Sequence, residues 1–169
     1  MRIFARGILL LGLVAAGCSK PVDLKQALQV TDVVSGYHDA GVTPDGKNKI
    51  VPSITLRLKN TSGSSIRPLS LTVSFRQLPA AGTAVAPGSP AEADFDEKFV
   101  QSVPFDGDLT KPLTFQAEHG YTADPPQTRA DILAHRLFQD MRVHVYAKHS
   151  ASQWVEIATF NVPRQLLAQ

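Results

Sequence analysis

The residues between Asp39 and Lys49 are the first in the chain whose types could act together. Asp39, Asp45 and Asn48 carry oxygens of the kind calcium takes. A calcium loop needs six or more converging oxygens and closely spaced carboxylates. Here the two aspartates are six positions apart with Pro44 between them, and no glutamate follows. Thr43-Pro44-Asp45-Gly46 puts proline and glycine where a type I turn wants them, so Asp45-Gly46 reads as turn chemistry. Asp39, Asp45 and Asn48 then mark a candidate interaction loop. The alternative, a metal or small-ligand site using residues 38–49, stays open at this point.

The five histidines, His38, His119, His135, His144 and His149, form neither an i, i+4 pair nor a tight cluster of the kind zinc favours. His144 falls on the polar phase of its segment, where a solvated imidazole is expected. Serine nucleophiles need an elbow or a positioned base, and Gly-x-Ser-x-Gly is absent. Ser62, Ser64 and Ser65 lie in a polar turn. Asp94-Phe95-Asp96-Glu97 is an acidic patch read as a solubility feature. Trp154 reads as core or rim packing, and Tyr121 as a phenol bonded back to the main chain at a sheet corner. No enzymatic activity and no cofactor is expected from this set.

One residue is left with a definite chemistry. Cys18 is the only cysteine, so it can form no intramolecular disulfide. It follows two arginines, Arg2 and Arg6, and an apolar run from Ile8 to Ala16. That run is far short of the roughly 20 apolar residues that cross a bilayer. It has the layout of a secretory signal, with small residues before the cleavage point. Leu13-Val14-Ala15-Ala16-Gly17-Cys18 resembles a lipobox, the processing site of bacterial lipoproteins. Ala15 stands three before the cysteine, where leucine is commoner.

The resemblance implies cleavage before Cys18, a diacylglycerol thioether on its sulfur, and acylation of the new amine by a palmitate-type chain. Two or three chains together hold a protein stably at a membrane, where one holds it marginally. Ser19 rather than aspartate follows the cysteine, which in a Gram-negative host resembles sorting to the outer membrane, facing the periplasm. The expected organisation is thus a signal peptide over 1–17, a lipidated tether over 18–27 and a folded domain over 28–169.

The formal charge of +2 belongs wholly to Arg2 and Arg6, and the rest of the chain balances its charges. No basic footprint for nucleic acid is left, nor a polybasic stretch to reinforce membrane contact.

Strands must position whatever this domain presents. Leu28 to about Tyr37 opens the series. Ile54, Leu56 and Leu58 alternate with Thr55, Arg57 and Lys59, as Leu69, Leu71, Val73 and Phe75 do with their neighbours. These two segments read as antiparallel strands of one sheet. Pro79 to Ala93 is a connection rich in Ala, Gly and Pro. Phe95 to Val103, Leu113 to Phe115, Met141 to Ala147 and Trp154 to Val162 read as further strands. Thr128 and Asp131 resemble a capping box ahead of Ile132, Leu133 and Leu137 at helical spacing.

The expected fold is therefore mostly β: a two-sheet antiparallel immunoglobulin-like sandwich of about seven strands, with one short helix near 129–137. The stretch Val51 to Arg76 resembles FxLYD-like extracytoplasmic domains, whose functions are mostly accessory. Together these features lead to a non-enzymatic binding module, held at the cell envelope by lipid on Cys18, that engages another envelope protein.

Overall fold

A computed structural model describes residues 22–80 and 91–168. The segment expected as a signal peptide, and Cys18, lie outside the described residues. The chain folds from Asp23, whose side chain accepts from the Lys25 N–H (3.0 Å) and caps a single helical turn, α1 (Leu24–Ala27). Leu24 and Ala27 are three apart, hence on one face of that turn, and both are buried. The span expected as tether, 18–27, therefore already belongs to the body in its last residues. One helical turn is too short to show a period in sequence.

Two long strands follow, β1 (Leu28–Val42) and β2 (Asn48–Asn60), paired antiparallel from Leu28↔Asn60 to Val42↔Asn48. The expected turn joins them: the Gly46 N–H donates to the Thr43 carbonyl (2.8 Å), and Gly46 takes a φ of +85°. β1 runs past Tyr37, where its apolar alternation fades, because β2 continues to offer it a ladder. β3 (Leu69–Gln77) and β4 (Ala93–Val100) form a hairpin in a second sheet.

Here the sequence expectation fails. β2 and β3 are not neighbours in one sheet: residues 61–68 carry the chain across to the other layer. Alternation gives each strand a wet and a dry face, but two dry faces can lie side by side or face to face. These face each other.

The free edge of β2 is filled piecemeal. After the two-residue β5 (Phe105–Asp106), β6 (Leu109–Thr110), β7 (Leu113–Gln116) and β8 (Tyr121–Ala123) pair with successive stretches of it. At the break after β6, the buried Thr110 hydroxyl accepts the Leu58 N–H (2.9 Å) that no backbone reaches. At position 120, between β7 and β8, only glycine fits, since a Cβ there would run into the Ile50 carbonyl oxygen.

α2 (Arg129–Ala134) carries the expected capping box, Thr128 N–H to Asp131 Oδ2 (2.7 Å) and Asp131 N–H to Thr128 Oγ1 (3.2 Å). It stops three residues before Leu137, which is exposed, while Ile132 and Leu133 are buried. β9 (Met141–His149) and β10 (Val155–Val162) complete the second sheet, ordered β10-β9-β3-β4. Ten strands are thus present among the described residues rather than about seven, the additional ones being pieces of two or three residues.

The result is a mostly β body of two antiparallel sheets. Ile54, Leu56 and Leu58 of β2 meet Leu71, Val73 and Phe75 of β3 and Val143 and Val145 of β9 in one core. Each such side chain contributes about 1.5–3 kcal/mol on burial. After β10 the chain crosses back, pairing with β1 through Tyr37 N–H to the Gln165 carbonyl (2.8 Å) and Leu167 N–H to the Tyr37 carbonyl (2.9 Å). The sandwich has two ends. The α1 end gathers α1 and residues 61–68, 101–108 and 149–154, and the α2 end gathers the 43–47 turn and residues 118–140.

Candidate functional site

The interaction loop expected at Asp39, Asp45 and Asn48 lies at the α2 end, and its oxygens are engaged from within. Arg129, the first residue of α2, donates from Nε to Asp39 Oδ1 (2.9 Å) and from Nη1 to Asn48 Oδ1 (2.6 Å). Asn48 Nδ2 in turn donates to the Gln127 carbonyl (2.6 Å). The Gly41 N–H and this guanidinium hold the Asp39 carboxyl below the usual carboxylate range. Asp45 accepts from the Thr43 hydroxyl and pairs with Lys47 across its own turn (3.5 Å). The three residues are brought to one end, but they form no shared donor set.

A more developed polar site lies on the outer face of the second sheet. Register sets Thr72, Ser74 and Arg76 of β3 beside Tyr146, His144 and Arg142 of β9. β10 adds Glu156, Thr159 and Asn161 on the far side. His144 was expected in solvent, but its side chain is only 12% exposed. Glu92, just before β4, reaches Nε2 (2.7 Å), and Glu156 reaches Nδ1 (3.2 Å).

Arg142 donates to the other oxygen of Glu92 (2.5 Å). The Thr159 hydroxyl (2.8 Å) holds the Glu156 carboxyl below its ordinary range against the desolvation of burial, and His144 adds to the lowering. Both ring nitrogens are thereby engaged by carboxylates. The two glutamates approach opposite edges of the ring. Among the described residues no group of three or more His, Cys, Asp or Glu side chains is placed to hold a metal ion.

Beside this network runs an open groove of about 560 Å³, lined by Arg76, Asp94, Glu97, Tyr146 and Trp154 over a floor of Thr72 and Ser74. It offers both signs of charge, hydroxyls and the aromatic side chains of Phe95, Tyr146 and Trp154.

The acidic patch at its rim divides. Asp94 meets Arg76 (3.4 Å) and Glu97 stays in solvent, but Asp96 turns inward, 11% exposed, and accepts the Glu118 and His119 N–H groups of the facing layer. Desolvation pushes the Asp96 carboxyl up. The main-chain N–H groups of Glu118, His119 and Glu97 outweigh it and leave the carboxyl below its ordinary value. Asp96 is thus a clamp between layers, not only a solubility feature.

Tyr121 does bond the main chain, although forward in sequence: its hydroxyl donates to the Gln139 carbonyl (3.0 Å). The Tyr37 phenol is fully buried, which pushes its pKa far up, and its hydroxyl has no partner among the described residues. Trp154 lies at the rim of the α1 end, edge-on to Phe99 with ring centroids 6.0 Å apart.

Sequence reasoning missed Glu92, Arg129 and the setting of His144. Their partners stand 12 to 90 positions away in the chain, and no local spacing announces such pairs.

No family model matches the chain, and no curated protein matches it. Among solved structures, the X-ray structure of Northeast Structural Genomics Consortium target SoR45 is similar over 82% of this chain and 88% of that one, at 14% identity and a TM-score of 0.34.

Proposed function

We propose that the chain is a bacterial envelope lipoprotein, anchored by lipid on Cys18, whose immunoglobulin-like sandwich is a non-enzymatic binding or accessory module for another envelope component. The observation that carries the reading is the lipobox-like run Leu13–Cys18, followed almost at once by the folded body. Only five residue steps separate Cys18 from Asp23, a reach of at most about 18 Å. Lipid on Cys18 would hold the α1 end against the bilayer and turn the α2 end outward. In a Gram-negative host, Ser19 favours the outer membrane with the body in the periplasm. No helix among the described residues is long and apolar enough to cross a membrane.

Strand order supports the immunoglobulin-like assignment. β1-β2-β7 correspond to A-B-E of such domains and β10-β9-β3-β4 to G-F-C-C′, with the same crossings between layers. Two features support recognition over catalysis. The outward α2 end is stiffened by Arg129, and the polar sheet face near it holds a histidine whose nitrogens are already engaged by Glu92 and Glu156. Lipid confinement raises the effective concentration of such a module near its partner.

The test is cross-linking in intact cells from a photoreactive residue at position 45, followed by mass spectrometry of the adducts and of the mature N-terminal peptide. The expected outcome is an acylated peptide beginning at Cys18 and an envelope protein captured from the α2 end. A mature chain beginning elsewhere, or a Cys18→Ala variant that fractionates with membranes as the wild type does, refutes the reading.

A further inference from the structure

We infer that the α1 end makes a second, non-covalent contact with the bilayer, with the Trp154 and Phe99 rings in the headgroup region. This rests on the anchored reading above. Trp154 precedes β10 directly, and α1 packs against β9 and β10, so the tryptophan lies at the end from which the chain leads back to Cys18. The short reach from Cys18 to Asp23 confines that end to the surface of whatever holds the cysteine.

Trp154 is 41% and Phe99 58% exposed, and no other aromatic stands among the large hydrophobics left exposed in the described residues. Their edge-to-face pair presents one apolar corner. The Lys148 ammonium sits 5.9 Å from the centre of the Trp154 ring, and at the same end the Arg67 guanidinium sits 6.0 Å from the centre of the Phe105 ring. Neither cation has a carboxylate partner among the described residues. Arg67 also donates from Nη2 to the Phe105 carbonyl (2.6 Å), which leaves Lys148 as the cation beside the tryptophan. Tryptophan at headgroup level with a basic side chain next to it is the composition a bilayer interface selects.

Asp106 and Asp108 share this end, so adhesion comes from the aromatic corner and depends little on salt.

Trp154 is the only tryptophan, so its emission reports its own surroundings. The full chain, processed in its host, is reconstituted into vesicles of phosphatidylethanolamine and phosphatidylglycerol whose acyl chains carry bromine near the headgroup or near the terminus. The expected result is blue-shifted emission that bromine quenches, more strongly from the shallow position, with little change on adding salt. Phe99→Ala should reduce the quenching while leaving the melting temperature close to wild type. The swapped pair Trp154→Phe with Phe99→Trp should restore it.

Emission typical of water, unquenched in a preparation whose N-terminal peptide carries the acyl mass, overturns the contact and leaves the anchor standing. A blue shift without quenching that grows with protein density on the vesicle assigns the corner to a second copy and also overturns it. An N-terminal peptide without acyl mass overturns the anchor, and the bilayer contact with it.

Discussion

At the α2 end Arg129, Arg142 and Arg164 each meet a carboxylate, on Asp39, Glu92 and Asp140, at 2.9, 2.5 and 2.6 Å. At the α1 end Arg67 and Lys148 lie over aromatic rings instead. The cations are alike and their uses differ. Planar guanidinium against carboxylate fixes direction as well as distance, which suits an end where turns and a short helix must hold their places. A cation over an exposed ring fixes little and leaves an amphipathic surface. Packing contributes much at the α1 end, where Leu24 and Ile66 insert into the core at 2% and 1% exposure. One end is organised by pairs that specify geometry. The other is organised by burial and by hydrogen bonds to the main chain, such as Arg67 Nη2 to the Phe105 carbonyl (2.6 Å) and Thr61 N–H to the Ala27 carbonyl (2.8 Å).

The contrast can be broken in several places. The largest effect should come from Leu24→Ala, which removes the packed face of α1 and should cost about 2–5 kcal/mol in thermal or denaturant unfolding. A change within experimental error would return residues 24–27 to the tether.

Next comes the clamp between the layers. Asp96→Ala removes the acceptor of three main-chain N–H groups, those of Glu97, Glu118 and His119, and should cost about 2–3 kcal/mol. A carboxyl whose pKa is lower folded than unfolded binds fewer protons in the folded state. Its stabilisation is therefore complete above the unfolded value, near about pH 4, and is lost as pH falls through the folded one. Unfolding of the wild type should steepen on that acid limb, and Asp96→Asn should flatten it.

Arg129→Met should cost about 1–2 kcal/mol and speed hydrogen exchange at residues 41–48, with Arg129→Lys failing to rescue because an ammonium cannot span both Asp39 and Asn48. Equal protection in wild type and variant would show that the loop is held by something else. The smallest effect should be that of Trp154→Ala, under about 1 kcal/mol in unfolding, since the ring is largely outside the core. A loss comparable with that of Leu24→Ala would make Trp154 a core residue and remove the ground for an interfacial role.

Much of the fold is legible along the chain. Alternation in Ile54–Lys59, Leu69–Arg76 and Met141–Ala147 places strands where they are observed, and Thr128 with Asp131 marks the start of α2. Alternation is silent on neighbours, which is how β2 and β3 come to read as one sheet. The candidate site was legible only in fragments. Asp39 and Asn48 were singled out for their oxygens, and both accept from one guanidinium some 80 to 90 positions on, a partner that no spacing along the chain announces. His144 was placed on a polar face without the two glutamates that cover it.

By itself the sequence determined the strand periods, the turn at Thr43–Gly46 and the helix cap, because each depends on side chains within a few positions of one another. Which strands share a sheet, which charges meet, and which aromatics stay outside were decided only by the tertiary structure. Those outcomes depend on how long segments cross between layers, and the energy that chooses among crossings is shared by the whole core rather than written in any one stretch of it.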